Sequence, residues 1–244
     1  MNPKDRLIFP LDVPDKSSAL KLVQLLKDEV GLFKVGLELY LAQGPGIMPE
    51  LLNASRPARI FLDLKLYDIP ATVLGALGTI IPGVALVTLP SDLGPAALKE
   101  IVAAAGGLDI LAVTVLTSVT AEDLRALGYD PGFIRDPVEL VLARARMAQE
   151  AGCRGVVCSG GEAGAVRRAC GPDFLIVCPG IRPAWAAVPG DDQKRTVTPA
   201  AAVKNGADYI VVGRPIRQAA DPVAAARRVV AEIAEGVGGY PNPL

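Results

Sequence analysis

Short apolar runs of strand length recur along the chain, separated by longer Ala/Leu-rich stretches with helical spacing. Strands are expected near 7–12, 32–36, 59–65, 84–88, 108–114, 154–158, 174–178 and 208–213. Helices are expected near 16–29, 37–54, 70–80, 94–105, 120–127 with 136–151, 161–170, 198–205 and 221–235. Asp15 and Ser17 stand where the first helix begins, and Asp221-Pro222 supplies an N-cap and a first-turn proline for the last. Eight β-then-α units in series predict an α/β fold, a single (β/α)8 barrel over 1–244, with a doubly wound sheet as the alternative. The long Gly/Pro-rich loop at about 180–196 reads as a lid. The tail 236–244 lacks helical periodicity and is expected to fray or to pack against a partner.

Polar residues break this pattern at particular strand ends, where a barrel collects its function. The first run ends in Asp12, the second carries Lys34, and the third carries Asp63 and Lys65, with Asp68 just beyond. Strand alternation puts Asp12 on the face of Ile8 and Pro10, taken as inward, and Phe61, Asp63 and Lys65 on one common face. Alone, an Asp-x-Lys pair is as readily a structural ion pair as a reacting group. Two acids and two lysines on three neighbouring strand ends read as a pre-organised polar site. The fourth run ends in an apolar corner, Leu89-Pro90, and reads as structural. The hydroxyls of Thr117 and Ser118 after the fifth could cap the next helix or bind a ligand. Gly160 and Gly161 after the sixth fit close packing as well as binding. After the seventh and eighth come Pro179-Gly180-Ile181-Arg182 and Gly213-Arg214, glycine-arginine corners suited to a phosphate.

Composition narrows the chemistry. The 244 residues are 51% hydrophobic, enough to bury one large core. A net charge of −1 gives no electrostatic case for nucleic acid or an anionic membrane, and no apolar run reaches the roughly 20 residues that span a bilayer. With no signal-like N-terminal apolar region, a cytoplasmic protein is expected. The chain has no histidine, so acid/base work falls to Lys, Asp, Glu, Tyr or Cys, and no metal site is expected. Cys153, Cys158, Cys170 and Cys178 match no zinc spacing and are expected as buried thiols.

The run Asp63-Leu64-Lys65-Leu66-Tyr67-Asp68-Ile69-Pro70-Ala71-Thr72 resembles the D-x-K-x-x-D-I-P-x-T signature of the bacterial orotidine 5′-monophosphate decarboxylases. The resemblance extends over nearly the whole chain, through Asp12, Lys34, Thr117, the Pro179 to Pro183 stretch, Gln193 and Gly213-Arg214. It implies decarboxylation of orotidine 5′-monophosphate by a homodimer with shared sites and no cofactor. Lys34, Asp63, Lys65 and Asp68 would form the charged network, Lys65 giving a proton to C6, and Asp68 and Ile69 would reach the other subunit's site. Asp12 and Lys34 would hold the ribose and Thr117 would lie near the pyrimidine. Gln193 would bridge base and phosphate, Gly213 and Arg214 would grip the phosphate, and Arg182 would help close the lid. Thr72 and Pro179 complete the implied substrate contacts. One departure is the corner after the fourth strand, Val87-Thr88-Leu89-Pro90-Ser91, where the family usually has a V-H-A-like sequence. Two alternatives remain: a magnesium-dependent sugar-phosphate decarboxylase or aldolase of the same superfamily, and a non-catalytic nucleotide-binding barrel.

Overall fold

The computed structural model describes residues 1–186 and 196–238. Its eight strands are β1 (Leu7–Pro10), β2 (Leu32–Val35), β3 (Arg59–Leu62), β4 (Val84–Pro90), β5 (Asp109–Val113), β6 (Gly155–Val157), β7 (Leu175–Cys178) and β8 (Tyr209–Val211). Each pairs in parallel with its sequence neighbours, and β8 pairs back onto β1, so the sheet closes as a (β/α)8 barrel. A doubly wound sheet is thereby excluded. The period-two pattern carries through. Ile8, Leu32, Phe61, Leu86, Leu111, Val177, Tyr209 and Val211 fill the barrel interior. The alternate residues Phe9, Phe33, Ile60 and Leu62 join the outer core beneath the helices.

The helices are α1 (Lys16–Leu26), α2 (Leu37–Gln43), α3 (Met48–Ala54), α4 (Pro70–Leu77), α5 (Pro95–Ala104), α6 (Ala121–Ala126), α7 (Pro131–Arg135), α8 (Pro137–Glu150), α9 (Ala163–Cys170), α10 (Pro199–Lys204), α11 (Arg214–Arg217) and α12 (Pro222–Gly238). Asp15 caps α1, its Oδ1 accepting from the Ser18 N–H at 2.8 Å, and Asp221 accepts from the Ala224 N–H at 3.0 Å at the start of α12. The helix expected over 37–54 is two helices, because Gly44 turns at φ 68° and Pro45 cannot continue the hydrogen-bond ladder. Between the helices expected near 120–127 and 136–151 lies a further short helix, α7, started by Asp130 and Pro131. Residues 236–238 continue α12, and Gly236 is buried there; the rest of the expected tail, 239–244, lies outside the described residues. All four cysteines are buried thiols, and burial pushes the Cys153 thiol up to about 11. Among the described residues no helix is long and apolar enough to cross a membrane.

Candidate active site

Because Ile8, Leu32 and Phe61 point inward, the next inward positions on β1–β3 fall at the C-terminal rim of the barrel. Lys34 and Asp63 occupy two of these, and Asp12 follows β1. Lys34 Nζ donates to Asp12 Oδ1 at 3.2 Å and lies 3.6 Å from Asp63 Oδ2. Gly36 makes room for this ammonium: a Cβ there would stand 2.8 Å from Nζ. Lys65 Nζ donates to Asp63 Oδ1 at 2.8 Å. Asp63 is thus clamped between two lysines. Burial would raise its pKa, but the charges of Lys34 and Lys65, with hydrogen bonds from Lys65 and Thr88, outweigh this and hold it below the usual carboxylate range.

Lys65 reaches this cluster by a route that strand alternation does not describe. β3 stops at Leu62, and Lys65 sits at φ 51°, in the left-handed region that a non-glycine residue enters at a cost of roughly 1–2 kcal/mol. A left-handed turn, and not an extended strand to residue 65, brings its amine back onto Asp63. The turn is held from β4. The Lys65 N–H donates to Thr88 Oγ1 at 3.0 Å, and the Thr88 hydroxyl donates to Asp63 Oδ1 at 2.9 Å. The fourth strand, read as a structural apolar corner, therefore contributes a buried hydroxyl to the cluster. Its only signal in the sequence is a lone threonine in an apolar run.

A cavity of about 160 Å³ opens beside the cluster. Lys34, Asp63, Lys65 and Thr117 line it, with Pro179 and the apolar wall of Phe61, Val113, Val157 and Val211. A second, of about 250 Å³, shares Lys65 and continues past Tyr67 and Pro90 to Tyr129 and Arg144. Arg144 donates to Tyr129 Oη at 2.6 Å and to the Thr114 carbonyl, bracing the β5 end; the sequence reading had assigned neither residue.

The remaining expected site residues are spread more widely. Asp68, Ile69 and Thr72 are exposed at the start of α4, where Asp68 Oδ1 accepts from the Ile69 N–H at 2.7 Å. Asp68 does not line the Lys65 cavity; with Tyr67, Ile69 and Pro70 it borders a separate surface hollow. Ser118 and Thr117 do not cap α6. Thr120 does, in a reciprocal capping box with Asp123, because it stands three residues before that acid. Arg182 is half-buried, its Nη1 donating to the Ile181 carbonyl at 2.9 Å, while its N–H pairs with the Val197 carbonyl at 2.9 Å. Gly213 packs where a Cβ would come within 2.8 Å of the Pro10 ring, and Arg214 opens α11 directly after β8. Gln193 and most of the expected lid lie outside the described residues.

The family model for orotidine 5′-phosphate decarboxylase / HUMPS proteins matches residues 5–229. The chain belongs to the orotidine 5′-phosphate decarboxylase / HUMPS family. An orotidine 5′-phosphate decarboxylase of Desulfosudis oleivorans is 47% identical over 241 residues, covering 96% of this chain and 95% of that protein. One of Xanthomonas euvesicatoria is 49% identical over 232 residues, with 94% and 92% covered. The crystal structure of orotidine 5′-phosphate decarboxylase from Lactobacillus acidophilus superposes with a TM-score of 0.78 at 34% identity, covering 93% of this chain and 98% of that one. Family membership thus accompanies a rim that pairs two ammonium groups with two carboxylates beside an apolar hollow. Such a rim can bind an anion, stabilise negative charge developing next to Lys65 and deliver a proton to it. Among the described residues no group of three or more His, Cys, Asp and Glu side chains is disposed to hold a metal ion.

Proposed function

We propose that this chain decarboxylates orotidine 5′-monophosphate to uridine 5′-monophosphate in de novo pyrimidine biosynthesis, without a cofactor, and that Lys65 donates the proton to C6. Its relatives over nearly the full length are orotidine 5′-phosphate decarboxylases, which supports a carboxy-lyase. The single observation that carries the mechanism is the Lys65–Asp63 pair, 2.8 Å apart, on the wall of a mostly apolar cavity.

The chemistry needs what that wall offers. When the bond from C6 to the carboxylate breaks, CO2 leaves and the electron pair stays on C6, in the ring plane, where the ring delocalises it poorly. The Lys65 ammonium stabilises that pair and then gives C6 a proton, and solvent reprotonates the amine. Asp63 holds Lys65 in line and stands near the departing carboxylate. Lys34 and Asp12 take the ribose hydroxyls, and Thr117 and Pro179 border the base. Gly213 and Arg214 grip the phosphate, with Arg182 and Gln193 closing over it. The barrier to this reaction exceeds what one ammonium removes, so binding energy from the remote phosphate is spent at C6.

The site is completed by a second copy. Asp68 lies away from the cluster of its own chain, on a loop whose neighbours Tyr67 and Ile69 are 65% and 67% exposed. Large apolar side chains left in water beside a cavity favour burial against a partner. In the dimer Asp68, Ile69 and Thr72 would serve the neighbouring site. The reaction belongs in the cytosol with its nucleotide substrate.

Loss of orotidylate absorbance, followed with and without EDTA, tests the reading. Turnover that EDTA leaves unchanged is expected. Turnover abolished by EDTA and restored by magnesium would favour the sugar-phosphate chemistry of the superfamily, and nucleotide binding without turnover would favour a binding barrel.

A further inference from the structure

We infer that Thr88 is a positioning residue for the reaction: its buried hydroxyl orients the Asp63 carboxylate and ties it to the left-handed turn that presents Lys65. The inference rests on the proposed roles of Asp63 and Lys65. Thr88 is fully buried and lines neither cavity at the rim, so it acts through these residues and does not touch substrate.

The hydrogen-bond polarity is dictated by the groups themselves. A hydroxyl has one proton to give and can accept at its lone pairs. The Lys65 backbone N–H can only donate, so at 3.0 Å it takes a Thr88 lone pair. The Thr88 proton is then directed at Asp63 Oδ1, 2.9 Å away, which must be an acceptor. The arrangement therefore selects the ionised carboxylate. A proton on that Asp63 oxygen would face the Thr88 proton and the Lys65 ammonium together. The β3–β4 register explains why this residue is in place. Leu62 is opposite Val87, so Asp63, the next residue, leaves the strand beside Thr88. β4 continues to Pro90 after β3 has ended, and the Thr88 carbonyl accepts from the Leu66 N–H at 3.2 Å. One residue of β4 thus holds the carboxylate, the backbone of Lys65 and the residue after it.

The groups facing Asp63 are the Lys34 amine from β2, itself bonded to Asp12, the Lys65 amine from the turn, and the neutral Thr88 hydroxyl from β4. Removing the hydroxyl takes away the contact that does not titrate and leaves the two ammonium groups. Asp63 then protonates more readily, and the acid limb of kcat moves to higher pH.

The test compares Thr88→Val, Thr88→Ser and Thr88→Ala with the unaltered enzyme, using kcat, KM and the pH profile on orotidine 5′-monophosphate. A hydrogen bond to a charged group predicts a kcat about 10- to 100-fold lower in T88V and T88A, with KM nearly unchanged and the acid limb raised. T88S, which keeps the hydroxyl, stays near the original in all three. Normal kcat and acid limb in T88V with a slow T88S would show that shape matters and the hydroxyl does not, overturning the inference. If T88V does not fold, the serine and alanine variants decide. An active T88S beside a slow, acid-shifted T88A supports the inference, and equal behaviour of the two overturns it. Asp63→Asn separates this from the underlying reading. An active D63N would defeat the assignment of Asp63 whatever Thr88 does. An inactive D63N, with all Thr88 variants unaltered, would defeat the role of Thr88 alone.

Discussion

The two ends of this barrel each hold an ion pair, and the pairs are built for different purposes. At the N-terminal end, Arg167 Nη2 meets Asp208 Oδ2 at 2.6 Å. The rest of the guanidinium is used up on carbonyls: Nη1 donates to Gly171, Pro172 and Phe174, and Nε and Nη2 donate to Gly206. Asp208 Oδ2 also accepts from the Ile176 N–H at 2.9 Å. This pair stitches the loops that lead into β7 and β8, and every nitrogen of the guanidinium is engaged. At the C-terminal end, Lys65 Nζ has one partner among the described residues and is 34% exposed toward a cavity, on a strained backbone. A saturated pair stabilises the fold. A pair with spare donors, held open at a conformational cost, is available for chemistry.

This contrast can be broken from either side. The largest effect is expected from Asp63→Asn, which leaves two ammonium groups facing a neutral amide and lowers kcat by about 10²- to 10³-fold or more. The melting temperature should fall less than in Arg167→Met, because Lys34 keeps Asp12 as a partner and Lys65 is partly exposed; a collapse of the fold would mean that the rim pair is structural after all. Arg167→Met is the converse. Removing one partner of a buried pair costs about 3–5 kcal/mol, read as a lower urea midpoint, while kcat of the folded fraction is unchanged. Catalytic loss without loss of stability in R167M would contradict the division between the two ends. A subtler effect concerns subunits. In the proposed dimer, mixing Lys65→Ala with Asp68→Ala should restore about a quarter of the activity, since half the dimers would be mixed and each would have one intact site. No recovery despite verified subunit exchange would remove Asp68 from the shared site. The smallest effect is in the pH profile. Asp63 is held below the usual carboxylate range, so it stays ionised above that range, and its contribution to activity is lost only as pH falls through its lowered value. A decline in kcat that begins well above pH 4 would be inconsistent with this.

The barrel and its inward faces were legible because strand alternation is a local rule. Ile8, Leu32 and Phe61 announce which positions point inward, and Lys34 and Asp63 follow from them. Lys65 was expected beside Asp63 on a continuing strand, and it lies beside Asp63 by a different route. A left-handed residue ends the alternation, and tertiary contacts with Thr88 and Asp63 hold that turn. Thr88 was illegible because its meaning depends on the β3–β4 register, which no local pattern encodes. The break between α2 and α3 was written plainly in Gly44-Pro45-Gly46, and helical spacing on both sides masked it. α7 and α11, of five and four residues, are too short to show a period at all. Asp68 was expected to reach the site of another subunit, a placement that no pattern within one chain can show, and it borders a surface hollow apart from the cavity that Lys65 and Asp63 line.

The central claim is that Lys65 is the proton donor at an otherwise intact nucleotide site. Lys65→Ala measures it most directly, with two readouts on one preparation: uridylate formed from orotidine 5′-monophosphate, and uridylate binding by calorimetry. The account predicts turnover reduced by about a thousandfold or more, with binding within roughly tenfold of the unaltered protein. Retention of more than about a tenth of the original turnover, with binding intact, would contradict it.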